Sequence, residues 1–252
     1  DERGRLLLPA RAGSEQTIRQ VGPLVQFRDE TYPAVRVSGD ILEVTNWERY
    51  PAWDVNRRWN DNIFPGTLEL RVVDGTLTLI NELPLEDYLL GLVETIENNH
   101  PEKKKAIAVV ARSYAQHYLD PRYRKFPGQP YDGSDDPAEF QKYLGANLTK
   151  RSPGWQEAVA ATAGEVVTYQ GEIIKTPFHT SSGGRTTSAQ ERWGWTDTPY
   201  LQSVEDPGCA DKAPAGHGVG MSGCGSQHFA EQGWDYREIL EYFYQGVEVS
   251  KR

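Results

Sequence analysis

Residues Asn81 to Asp120, NELPLEDYLLGLVETIENNHPEKKKAIAVVARSYAQHYLD, decide the reading of the fold because the hydrophobic period changes inside them. Behind Pro84, which suits a first helical turn, Leu85, Leu89, Leu92, Val93 and Ile96 follow helical spacing. That spacing predicts one helix running through Glu94 and Glu97, with both carboxylates on about one face and Gly91 leaving room a turn before Glu94. Pro101 then opens a second helix, with Ile107, Val110, Tyr114 and Tyr118 as its core stripe and Lys105 and Arg112, seven apart, on another face.

Upstream the pattern is that of strands. Val25 to Arg28, Ala34 to Val37 and Ile41 to Thr45 are β-branched segments between turn formers. Thr67 to Val73 and Thr76 to Ile80 flank Asp74-Gly75, a pair suited to a two-residue hairpin turn. Trp47, Trp53 and Trp59 lie between these strands and read as buried anchors or as a platform for sugar rings. Downstream, Ala138 to Tyr143 reads as a short helix and Trp155 to Thr162 as another. Glu165 to Tyr169 and Glu172 to Pro177 are strands about Gln170-Gly171, and Asp235 to Tyr244 is a closing helix with Ile239, Leu240 and Phe243 inward. The class this implies is α+β: a strand-rich region over residues 1–80, then helices packed on a mixed β-sheet over residues 81–252, with a cleft between them.

The chain has 252 residues and a formal net charge of −9, a balance that argues against nucleic acid or an anionic membrane as a partner. The start at Asp1 fits a mature form from which an export segment has been removed, and an extracytoplasmic location is expected. Cys209 and Cys224 leave no odd thiol and suit one disulfide in an oxidising compartment. The other reading of these cysteines is a structural zinc held with His217 and His179.

Three groups carry the chemistry. Glu94 and Glu97 offer an acid, and Lys105 with Arg112 offers a wall for a substrate carboxylate. The segments around His179-Thr180-Ser181-Ser182-Gly183-Gly184 and His217-Gly218-Val219-Gly220-Met221-Ser222 have the composition of site loops. No Gly-x-Ser-x-Gly elbow supports a serine nucleophile.

Several of these stretches, taken in order, resemble the SpoIID family, the stage II sporulation protein D and SpoIID/LytB type. They are Asn81 to Gly91, Glu102 to Ala115, Ala158 to Gly164, Phe178 to Thr186, Pro199-Tyr200-Leu201, Gly216 to Ser222 and Ile239 to Gly246, spanning roughly residues 67 to 249. The resemblance implies a lytic transglycosylase that cuts the bond from N-acetylmuramic acid to N-acetylglucosamine in peptide-stripped glycan strands of peptidoglycan, leaving 1,6-anhydro ends without a cofactor. The LytB branch implies the alternative, a non-catalytic binder that enhances a cell-wall amidase. One departure from the family pattern stands out: Val93 runs directly into Glu94, where the family usually places two more residues. If those two are absent, Glu94 is the catalytic residue; if the gap lies elsewhere, Glu97 is. Lys105 and Arg112 are expected either to hold the muramoyl carboxylate or to order the helix face, with a structural Arg112 standing level with a substrate-binding one, and His179, Ser181, Ser182, Gly183, Gly184, His217, Gly218 and Ser222 are expected to line the glycan cleft.

Overall fold

The computed structural model describes residues 13–50, 54–92 and 94–252; Trp53 and Val93, both singled out above, lie outside them. In chain order the strands and helices are β1 (Ile18–Val21), β2 (Leu24–Phe27), β3 (Glu30–Tyr32), β4 (Ala34–Glu43), β5 (Ile63–Val73), β6 (Thr76–Glu82), α1 (Leu85–Leu90), α2 (Pro101–Leu119), α3 (Pro153–Ala161), β7 (Glu165–Tyr169), β8 (Glu172–Ile173), β9 (Phe178–His179), α4 (Ala189–Trp193), β10 (Met221–Ser222), α5 (Gly223–Glu231), α6 (Tyr236–Phe243) and β11 (Glu248–Lys251).

The protein is α+β. Among the described residues the strands are shared among three antiparallel three-stranded sheets, β1-β2-β3, β4-β5-β6 and β11-β7-β8, and a short parallel pair, β9 and β10. Helices thus pack on several small sheets where the sequence suggests one mixed sheet. The hairpin turns follow the expected chemistry: Asp74 and Gly75 have φ of 50° and 81°, and Gln170 and Gly171 have 51° and 83°. Residue 80 falls inside β6, which pairs with β5 from Thr67↔Glu82 to Val73↔Thr76.

Helix α2 is the axis of the core. Its centre, Ala106 to Ala111, is almost completely buried, and its small side chains let α3, β7, α5 and α6 come close on several sides. Such a helix has no single apolar stripe. His100 caps its N-terminus by accepting from the Glu102 N–H at 3.3 Å, and Pro101 follows where a missing N–H costs nothing. The Ser113 hydroxyl donates to Val109 O at 2.6 Å and accepts from the Val167 N–H at 2.8 Å, which fixes β7 against the helix. Ile239, Leu240 and Phe243 of α6 are buried as expected, behind a capping box of Asp235 and Glu238.

Helix α1 is shorter than the sequence period predicts. It ends at Leu90, with Gly91 as its C-cap, so Glu94 and Glu97 lie in the following loop and not on a helix face; Ile96 is 66% exposed. The cause is a distant segment. Leu144 N–H takes the Gly91 carbonyl at 2.8 Å, the group a continuing helix would give to residue 95, and Leu92 pairs with Tyr143 in an isolated bridge. The expected helix over Ala138 to Tyr143 is instead a turn leading into that bridge.

Arg49 and Asp61 hold the strand-rich part to this segment and to Arg151. Arg49 donates to Asp61 O at 3.2 Å and to Tyr143 O at 2.5 Å, and pairs with Asp135. Asp61, wholly buried, pairs with Arg151 at 2.5 Å. Burial pushes the Asp61 carboxyl up, against the lowering pull of Arg151 and Arg49.

Cys209 and Cys224, separated by 15 positions in sequence, form a disulfide with Cα atoms 5.5 Å apart. A loop of that length implies roughly 3 kcal/mol of stabilisation. Adding reductant is expected to lower the unfolding midpoint in urea by the corresponding amount, and a Cys209→Ser/Cys224→Ser double variant is expected to match the reduced protein.

Candidate active site

Glu94 sits where the loop after α1 meets the segment 140–144. Its Oε1 accepts from the Lys142 N–H at 3.2 Å, and among the described residues no cation lies within ion-pair distance of it. The surroundings are aromatic. Tyr88 from α1 stacks on Tyr143, with centroids 5.5 Å apart and planes at 17°. The Tyr88 hydroxyl donates to Gln141 Oε1 at 3.2 Å, and that of Tyr143 donates to Asn81 Oδ1 at 3.1 Å. Tyr114 of α2 accepts from Lys125 Nζ at 2.7 Å.

Burial without a counter-charge pushes the Glu94 carboxyl up to about 7, and the Lys142 N–H offsets this only in part. The same pocket raises the phenols of Tyr88 and Tyr114, first through burial and then through charged or hydroxyl neighbours that include Glu94. Near neutral pH Glu94 is therefore poised to give a proton and to take one back, the property of a general acid/base.

Glu97 is held differently. It is exposed, pairs with Lys104 at 3.5 Å and accepts from the Gly154 N–H at 3.1 Å, so a cation and a backbone donor already occupy it. Between the two candidates, the geometry favours Glu94.

Gly91 serves this site by closeness. The sequence suggests open space beside it, but the Tyr143 ring fills that space, and a Cβ on residue 91 would run into the ring. Gly91→Ala is expected to displace Tyr143 and the bridge at Leu92, at a cost of about 1–3 kcal/mol. Thermal unfolding of the variant measures this, and loss of activity in the folded fraction measures how far Glu94 has moved with the loop.

The cations of α2 do not reach Glu94. Lys105 Nζ pairs with Glu102 at 2.6 Å and lies 5.7 Å from the Tyr236 ring centre, at the junction with α6. Arg112 is 1% exposed, and all its donors are engaged: Glu86 takes two at 2.7 and 2.8 Å, and Thr162 Oγ1 and the carbonyls of Ala108, Val159 and Glu165 take the rest. Its place is inside the fold, tying α1, α2, α3 and β7 together, and not on a wall facing a substrate carboxylate.

The glycine-rich segments assemble a second cluster. His179 and His217 face each other at 5.4 Å between ring centres, and Trp193 lies 5.0 Å from His217. His179 Nδ1 meets Val219 O at 3.2 Å, while His217 Nδ1 accepts from the Val219 N–H at 3.1 Å. Burial lowers both imidazoles, His217 to about 4 with the charge of His179 adding to the effect, so both are neutral near pH 7. Gly216, at φ 99°, passes so close to His179 that a side chain there would press on its Cβ.

The hydroxyls predicted beside these imidazoles divide by role. Ser181 Oγ and His179 Nε2 are buried without a hydrogen-bond partner among the described residues. Ser182 donates to Asp206 at 2.5 Å, and Ser222 is the fully buried N-cap of α5, accepting from the Gly225 N–H at 2.9 Å. Gly183 and Gly184 form the turn after Ser182, and Gly218 O accepts from the Thr187 N–H at 2.8 Å. Among the described residues, no hydrogen bond, ion pair or ring contact joins this cluster to Glu94.

Tyr88, Gln141, Lys142 and Tyr143 complete the surroundings of Glu94 and are not among the site residues read from the sequence. Only the stretch Asn81 to Gly91 pointed near them; a partner 48 positions away, such as Lys142 for Glu94, leaves no local signal.

Comparison with known proteins places this site in context. Residues 73–169 match the family model SpoIID, described as Stage II sporulation protein. An uncharacterised protein of Brachyspira hyodysenteriae is 34% identical over 148 residues, covering 57% of this chain and 38% of that protein. Stage II sporulation protein D of Bacillus amyloliquefaciens is 24% identical over 265 aligned positions, covering 68% of this chain and 76% of that protein. The Bacillus subtilis protein of the same name is 29% identical over 138 residues, covering 51% of this chain and 40% of its own length. The chain thus spans well under half of two of these three relatives.

Proposed function

The chain belongs to the SpoIID family through residues 73–169, and from that premise we propose that it is a lytic transglycosylase with Glu94 as its acid/base. The observation that carries the reading is the Glu94 carboxyl itself: unpaired with any cation among the described residues, walled by tyrosines and raised to about 7. Protonated Glu94 donates to the glycosidic oxygen as the bond to C1 of the muramoyl residue breaks. The carboxylate left behind takes the proton of the C6 hydroxyl as that oxygen closes onto C1. One C–O bond breaks, one forms, a proton passes from O6 to the leaving oxygen, and no water is consumed.

A glycoside hydrolase would ordinarily need a second carboxylate to activate water or to attack the sugar. Here the next acid along, Glu97, is tied to Lys104 and the Gly154 N–H. A lone acid/base therefore suits an intramolecular closure better than hydrolysis. The reaction calls for no cofactor, and its substrate places the protein outside the cytoplasm. No described helix is long and apolar enough to cross a membrane.

Mass spectrometry of the products released from peptide-free glycan strands and from intact peptidoglycan tests the proposal. Anhydro-muramoyl ends from the peptide-free strands are expected. Tight binding with no cleavage of either substrate would instead favour the enhancer of an amidase.

A further inference from the structure

The Cys209–Cys224 disulfide is set among polar groups that it cannot use. Cys209 is fully buried, and Cys224 is half-buried in the first turn of α5, behind the N-cap Ser222. Both sulfurs and a carboxylate oxygen of Asp206 lie within 4.8 Å of one another. Asp206 is itself wholly buried. Its Oδ2 accepts from the Ser182 hydroxyl, but its Oδ1 has no hydrogen-bond partner among the described residues. Residue 225 is glycine where a Cβ would collide with that Oδ1, so α5 leaves room for the acid beside the sulfurs.

A buried acceptor without a donor is costly, and this one gains a donor when the disulfide opens and the Cys209 thiol turns towards it. The other contacts repeat the pattern. Cys209 Sγ lies 3.4 Å from Ser222 Oγ, and Cys224 Sγ lies 3.4 Å from the Thr180 carbonyl oxygen, so an acceptor stands at each sulfur. A disulfide sulfur has no proton to give them, whereas a thiol has one. Access separates the two sulfurs: of the pair, Cys224 meets solvent, so an incoming thiolate attacks there and Cys209 is the leaving group.

We propose that Cys209 and Cys224 are a reversible redox pair, opened at Cys224 by a dithiol reductant, with Asp206 as the acceptor that holds the Cys209 thiol. The reductant's thiolate bonds to Cys224 Sγ as the S–S bond breaks, and the electron pair passes to Cys209, which takes up the proton the reductant has lost. The second thiol of the reductant then attacks the mixed disulfide. It departs as an oxidised dithiol, and Cys224 is released and protonated; two electrons and two protons have passed to the protein. The first turn of α5 favours Cys224 as that leaving thiolate. The bond closes a loop that contains His217 and Val219, whose N–H and carbonyl hold His217 and His179, so opening it loosens the imidazole cluster. None of this depends on the role of Glu94.

The test equilibrates the folded protein in glutathione buffers and reads each cysteine by alkylation and mass spectrometry. A mixed disulfide with glutathione is expected on Cys224 alone, and dithiothreitol is expected to open the bond faster than the protein unfolds. Asp206→Asn places an amide donor where the thiol needs an acceptor, and is expected to shift the equilibrium about ten-fold towards the disulfide. Ser182→Ala takes a donor from Asp206 and is expected to shift it about as far towards the dithiol. Both substitutions weaken the same pocket, so a merely structural role would move the two in one direction. In proton spectra, reduction is expected to move the imidazole signals of His179 and His217 and to leave that of His117, which sits against Ile173 and Tyr123. Opening only at the rate of unfolding, a mixed disulfide on Cys209, shifts of equal sign or no shift in the two variants, or unmoved signals of His179 and His217 would overturn the proposal.

Discussion

Glu94→Gln is expected to lower the rate of strand cleavage by about 100- to 10,000-fold while leaving glycan binding intact, because the amide keeps the shape and loses only the proton transfers. The wild-type pH profile should carry the same signature. The first step needs the protonated acid, so kcat/KM is expected to fall about ten-fold per pH unit above about 7. Stability responds to the same group. A carboxyl raised in the folded state costs nothing below its ordinary value of 4.5, and the cost grows as pH rises towards about 7, where it is fully present. The Gln variant escapes this cost. At pH 8 it is expected to be more stable than the wild type by up to about 3 kcal/mol, and at pH 4 to match it, as urea unfolding at the two pH values would reveal. An inactive variant without that difference in stability would mean that Glu94 acts from a more solvated position than this structure gives it.

The second large effect concerns stability alone. Arg112→Met removes the group that satisfies Glu86 and the carbonyls of Val159 and Glu165, and the loss is expected to be about 3 kcal/mol at neutral pH. Burial pushes the Glu86 carboxyl up, but the hydrogen bonds and charge of Arg112 outweigh it and hold the group below its ordinary range. A depressed carboxyl contributes stability above its unfolded value, and that contribution is lost as pH falls below about 4.5. The gap between variant and wild type should therefore narrow in acid. At a temperature where both remain folded, kcat/KM of the variant is expected to stay within about two-fold of wild type. A loss confined to KM would return Arg112 to the substrate.

Sequence reading succeeded where the determining contacts are local. Pro101, the alanine-rich run and its tyrosines identify α2, and Asp235 with the inward Ile239, Leu240 and Phe243 identifies α6, because helix starts and periods act within a few residues. It overran α1 because the apolar spacing from Leu85 to Ile96 is helical, while the group that ends the helix, the Leu144 N–H on the Gly91 carbonyl, comes from more than fifty residues away. The same distance concealed the setting of Glu94. Its carboxylate could be selected by motif, but the Lys142 N–H and the Tyr88–Tyr143 stack that set its proton affinity arise only on folding. Arg112 stays open in the sequence between a structural and a substrate-binding place for a related reason: seven-residue spacing from Lys105 implies a common face, yet the partner that holds it, Glu86, sits on another helix. The histidines and serines of the glycine-rich loops were legible as a group, but their division into imidazole cluster and helix cap depends on the β9–β10 pairing.

The measurement that bears most directly on the central claim is cleavage of peptide-free glycan strands in water enriched in oxygen-18, followed by mass spectrometry of the new ends. Closure by the C6 hydroxyl under Glu94 predicts 1,6-anhydro-muramoyl ends that carry no label and that disappear in Glu94→Gln. Reducing ends carrying one oxygen-18, or unlabelled anhydro ends that persist in the variant, would contradict it.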